Sequence, residues 1–240
     1  MKSDHAQAPA TFIVEFWAKV FSFLGELSLF TLVRKVLPGA ISGTFVDAWV
    51  LGHMLLALLA VVLAVNLPPL HWLSITLAIY GFARVFEISV YQTNVLLFDE
   101  YRTARVSLHR IRQSTTTAVE AQQTDKPAPA YAVISYRRLV LLLLHNYFEI
   151  IFWLGCTYTV LAGEYLHKWQ DGTGTFMGAL YSSFITMTTF GEFDLMPQSR
   201  LAAGVLLFHA TVGLFMTLLS LARFISLLPA PRSTDKTEQG

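Results

Sequence analysis

The chain has 240 residues, of which 54% are apolar and only 14% charged, and its mean hydropathy is +0.52. That balance excludes an ordinary soluble domain, and a formal net charge of +1 excludes a strongly basic nucleic-acid binder. A single cysteine, Cys156, leaves no intrachain disulfide to form.

The chain opens with "MKSDHAQAPA", which lacks the short apolar run and cleavage site of a secretory signal. Residues 11–35 are rich in Phe, Leu and Val but carry Glu15, Lys19 and Glu26, leaving Phe12, Phe16, Phe23 and Phe30 for lipid. This pattern predicts an amphipathic helix lying in the cytoplasmic interface, within an N-terminal region spanning 1–47. The alternative is a fifth span, which would put the N-terminus outside.

Four later segments, 48–66, 72–93, 138–162 and 200–227, each supply the roughly 20 apolar residues that a bilayer-crossing helix needs. Pro68 and Pro69 break the first from the second, so 48–93 reads as a two-helix transmembrane hairpin. The linker 94–136 begins with "NVLLFDEYRTARVSLHRIRQ", a helical extension of the second span, and continues as "STTTAVEAQQTDKPAPA", a polar connector punctuated by Pro127 and Pro129. Residues 137–228 hold the last two spans and what lies between them, and 229–240 form a tail. With both termini cytoplasmic, fourteen of the 17 Lys and Arg residues fall inside, two outside (Lys168 and Arg200) and one, Arg84, within a span. That is the positive-inside pattern of a multi-pass protein of a plasma or bacterial inner membrane.

Charges inside the bilayer are functional candidates with a partner to be named. Arg84 and Glu149 lie about 18–20 Å from the outer ends of spans two and three at 1.5 Å per residue, so they can pair. Glu87 and His145, one turn deeper, extend them into an expected intramembrane polar cluster, with His145 as a candidate proton sensor. The plainer reading is that the cluster fastens the front helices to the rest. His53 and His209 stand alone in apolar helices and read as hydrogen-bonded within the bundle.

Between spans three and four runs "GEYLHKWQDGTGTFMGALYSSFITMTTFGEFDLMPQSR". Gly172, Thr173, Gly174 and Thr175 form a turn whose threonines can cap a helix start. Residues 176–188 are apolar but too few to cross a membrane. A short helix followed at once by the irregular "TTFGEFD" predicts a re-entrant loop, which is tolerated at bilayer depth only where it is buried in protein or lines a wet cavity.

"ALYSSFITMTTFGEFDLMP" resembles the pore helix and filter of tetrameric potassium channels, whose filter reads TVGYG. The resemblance covers about 139–227 and rests on "SFITMTTFG", Asp194 and Pro197, with Gly213 where many members place an inner-helix hinge. The first two spans lie outside it. It implies a potassium-channel-like pore module, which with the four apolar spans gives an expected all-α membrane protein of four transmembrane helices plus a re-entrant pore helix and filter loop. It also implies a homotetramer embedded in lipid, with four copies of the loop around one axis. Its selectivity filter would comprise Thr188, Thr189, Phe190, Gly191, Glu192, Phe193 and Asp194, with permeant cations held at Thr189, Phe190, Gly191 and Glu192. Beyond Gly213, the inner cavity would be lined by Leu214, Thr217 and Leu221, with Ala210 on the same face. Two departures stand out. Glu192 replaces the filter tyrosine, and Phe193 replaces the second glycine, at a position where glycine serves to allow positive φ.

The expected function is therefore a tetrameric cation channel passing potassium or other monovalent cations through a modified filter. Four copies of Glu192 would form a carboxylate ring that concentrates cations, unless the side chain turns away from the axis. Calcium-permeable or non-selective conduction, and a non-conducting pore-like subunit, are the rival readings. No cofactor, nucleic acid or small-molecule substrate is expected. An enzyme is not expected either, because no nucleophile and base pair, metal-ligand spacing or phosphate loop is present.

Overall fold

A computed structural model describes residues 12–26, 28–36, 43–68, 71–95, 131–167, 172–189 and 195–227. In chain order these form α1 (Phe12–Glu26), α2 (Leu29–Val36), α3 (Gly43–Asn66), α4 (Trp72–Thr93), α5 (Tyr131–Val160), β1 (Tyr165–His167), α6 (Phe176–Thr188), β2 (Leu195–Pro197) and α7 (Arg200–Leu227). Four helices are long and apolar enough to cross a membrane, over Asp47–Asn66, Trp72–Thr93, Val140–Val160 and Arg200–Ala222. The chain is thus a predominantly helical, multi-pass membrane protein. The linker between 96 and 130, the tail from 228, and Phe190, Gly191, Glu192, Phe193 and Asp194 lie outside the described residues.

Several element boundaries differ from the sequence expectation. In place of one helix over 11–35, α1 and α2 are two helices of 15 and 8 residues that meet around Gly25 and Ser28, and neither is long enough to span. α3 starts at Gly43 rather than 48, and α5 starts at Tyr131 rather than 138. Pro129 is the last helix breaker before Tyr131, so the helix takes up the end of the linker. The two three-residue strands are not foreseen in an all-helical reading. They are too short to carry an alternating pattern.

Packing is organised around α5, which meets α3, α4 and α6. α3 turns Ala57, Ala60, Val61 and Ala64 inward and leaves Leu51, Leu55, Leu59 and Val62 exposed. Small residues at i, i+3, i+4 and i+7 let helix backbones approach closely, which is how helices associate in lipid. The inward stripe joins Ile150, Trp153 and Leu154 of α5 in one core. On the other side, α4 crosses α5 at Gly81, where a Cβ would lie 2.5 Å from Trp153 Cε3. Any larger residue there would force the helices apart.

Candidate functional site

The loop between α5 and α7 begins and ends at one place. β1 pairs antiparallel with β2, setting Tyr165 opposite Pro197 and His167 opposite Leu195, and the Gln198 N–H donates to the Glu164 carbonyl at 2.8 Å. Chain that leaves after His167 therefore returns to the same spot by Leu195. Burial and the neighbouring Glu164 push the phenol of Tyr165 up from its ordinary pKa, and its hydroxyl donates to the Ala202 carbonyl at 3.0 Å, tying β1 to the first turn of α7.

Within that excursion sits α6, 13 residues or roughly 20 Å long, well short of a 30 Å hydrocarbon core. Its bounds, Phe176 to Thr188, are those expected from the sequence. Thr175 is the N-cap, its hydroxyl accepting from the Gly178 N–H at 3.0 Å. The helix is wedged between α5 and α7 and also touches α3. Ser183 donates to the Ile151 carbonyl at 2.7 Å, which fixes the middle of α6 on α5.

The C-terminal end of α6 is held from two sides. The Tyr147 hydroxyl donates to the Met187 carbonyl at 3.1 Å. From α7, Gly213 comes so close that a Cβ there would lie 2.6 Å from that same oxygen. Tyr147 stands thirteen residues before the end of α5 and Gly213 thirteen after the start of α7, so all three helices meet about 20 Å along both neighbours. Gly213, expected as a hinge, is in this structure a point of close approach.

α6 then ends at Thr189, whose φ of 55° and ψ of 19° are left-handed. It is the only non-glycine residue with positive φ among the described residues. A β-branched residue in that region is strained, and such strain persists where surrounding structure enforces it. Thr188 and Thr189 are thus the two filter candidates with an observed geometry, Thr189 being exposed in the single chain. Met177, Tyr181 and Phe184, at i, i+4 and i+7, lie on one partly exposed face of α6, with exposures of 66%, 43% and 44%. Of the cavity candidates, Leu214, Thr217 and Leu221 are exposed on α7 while Ala210 is half-buried.

Of the expected polar cluster, three members come together. Arg84 donates through Nε to Glu149 Oε1 at 2.8 Å and through Nη1 to Glu87 Oε2 at 2.7 Å, all three side chains being buried. Trp153 Nε1 adds a donor to Glu149 Oε1 at 3.4 Å, and the Ser28 hydroxyl, between α1 and α2, donates to Glu87 Oε1. His145 does not join them. Its ring nitrogen lies 3.0 Å from the Leu141 carbonyl one turn back, and the ring lines a different groove with Asp47 and Leu51. Ser28 was not foreseen, since nothing in a lone serine marks it as the tie between the N-terminal helices and a buried charge.

The two lone histidines are bonded inside the bundle, as expected. His53 reaches the Trp49 carbonyl and the Tyr80 hydroxyl, each at 2.8 Å, and His209 lies 2.8 Å from the Tyr158 hydroxyl behind α6.

No family model and no solved structure matches the chain.

Proposed function

We propose that the chain is the subunit of a homotetrameric pore-loop cation channel, related to potassium channels but with an atypical filter. The observation that carries this reading is the re-entrant excursion. A half-length helix, with β1 and β2 paired at its base, lies between α5 and α7 and ends about 20 Å along both in an exposed, left-handed Thr189. Backbone that leaves a helix at that depth needs cover from other protein or from water. Further copies of the chain supply both, because a ring of loops encloses a wet axis while each neighbour covers the apolar face of Met177, Tyr181 and Phe184. Conduction is passive: cations shed part of their hydration shell to the Thr189 hydroxyl and carbonyl and to the carbonyls that follow it. Glu192 and Asp194 add negative charge at the outer mouth, drawing cations in and rejecting anions. Both termini then lie in the cytoplasm, with α1 and α2 along its membrane face.

Single-channel recording of the reconstituted full chain tests this, with potassium, sodium and calcium compared across the bilayer. Unitary cation currents are expected, and Glu192→Gln should weaken block by divalent cations severalfold, since removing one ring of charge reduces local cation concentration. The absence of unitary current in every ion defeats the reading.

A further inference from the structure

We propose that Tyr147 is a positioning residue for the pore loop, its hydroxyl setting where the end of α6 delivers the ion-binding backbone. This rests on the channel reading above and names a residue outside the loop that tunes it. The last carbonyls of any α-helix lack intrahelical partners, and here the chain turns left-handed at Thr189, two residues after Met187. The Met187 carbonyl is taken by the Tyr147 hydroxyl at 3.1 Å. Gly213 presses on the same oxygen from the opposite helix, where no side chain fits. A carbonyl gripped between one donor and one steric stop has little freedom to shift, and neither does the strained residue two positions on. Near that end the Thr186, Thr188 and Thr189 hydroxyls bond to carbonyls of their own helix, while Ser183 ties the middle of α6 to α5 and Tyr165 holds the base of the excursion. Of these, Tyr147 is the one that donates from a neighbouring helix to the end from which Thr189 emerges. Loss of its hydroxyl frees the Met187 carbonyl, and so displaces the carbonyls that meet the ion, without removing any apolar contact made by the ring.

The test compares Tyr147→Phe with Tyr165→Phe in the reconstituted full chain, reading the tetramer peak by size-exclusion chromatography and the potassium-to-sodium permeability ratio from bi-ionic reversal potentials. Tyr147→Phe should keep the tetramer and change the ratio by about fivefold, the scale of one net hydrogen bond. Tyr165→Phe should leave the ratio at the wild-type value. A wild-type ratio in Tyr147→Phe overturns the proposal while leaving the channel reading in place. Loss of the tetramer in Tyr147→Phe also overturns it, by assigning the hydroxyl to assembly. A wild-type chain that passes no current removes the channel reading and this inference together.

Discussion

α5 carries two seams that are fastened by different chemistry. Toward α4 it is joined through charge, with the Arg84 guanidinium shared between Glu149 across the seam and Glu87 on its own helix. Toward α6 it is joined through neutral groups, Ser183 to the Ile151 carbonyl and Tyr147 to the Met187 carbonyl, with Gly213 closing the far side. A buried ion pair is unforgiving, because removing one partner strands the other charge in a low-dielectric medium. A set of neutral hydrogen bonds can lose one member and remain a set, each contributing about 1 kcal/mol. The charged seam is thus suited to holding the front hairpin in place. The neutral seam fastens α6 through groups that carry no fixed charge, so that losing one bond strands nothing.

The sharpest way to break this contrast is Arg84→Gln. Two buried carboxylates then lose their counter-charge, and the folded protein should lose about 3–5 kcal/mol, read as a collapse of the folded peak in detergent at moderate temperature. The triple variant Arg84→Gln, Glu87→Gln and Glu149→Gln carries no stranded charge and should recover most of that loss. If the triple variant is no more stable than Arg84→Gln alone, the seam is held by shape rather than by charge.

A smaller effect is expected at Gly213→Ala. The added methyl would stand 2.6 Å from the Met187 carbonyl oxygen, so α6 or α7 must shift, at a cost of about 1–3 kcal/mol. Gly204 on the same helix has open space around it, and Gly204→Ala should be neutral or stabilise by a few tenths of a kcal/mol. Thermal unfolding of the pair separates close contact from backbone flexibility. If both substitutions behave alike, Gly213 serves as a pliable point in α7 rather than as the stop behind α6.

Much of this arrangement was legible in the chain because the bilayer fixes element lengths. The four spans followed from apolar runs, and α6 followed from a threonine-capped turn, a run too short to cross and an irregular exit. The pairing of Arg84 with Glu149 followed from equal depth, since two opposite charges near the same level of a membrane have few other partners. His145 misled because depth alone ignores direction: it lies one turn before Glu149, but its ring folds back onto the Leu141 carbonyl. The β1–β2 pairing and the Ser28 tie were not legible, as three-residue strands and single hydroxyls carry no periodic signal. Tyr147 was hidden for a related reason. It is one aromatic among many in an apolar helix, and only the end of α6 arriving beside it gives its hydroxyl a task.

The mildest prediction concerns the start of α6. Thr175→Ala removes the acceptor for the Gly178 N–H and leaves one of the four orphan donors of the first turn without its cap, typically worth about 1 kcal/mol. Thr175→Ser keeps the oxygen and should be close to wild type. The loss should be smaller than at Gly213→Ala, because the first turn lies next to the β1–β2 base while the last turn is where three helices converge. Thermal unfolding of the three variants in one detergent ranks them. A larger loss at Thr175→Ala than at Gly213→Ala would move the point of fastening from the deep end of α6 to its mouth, and with it the place where a change in α7 would be felt by the loop.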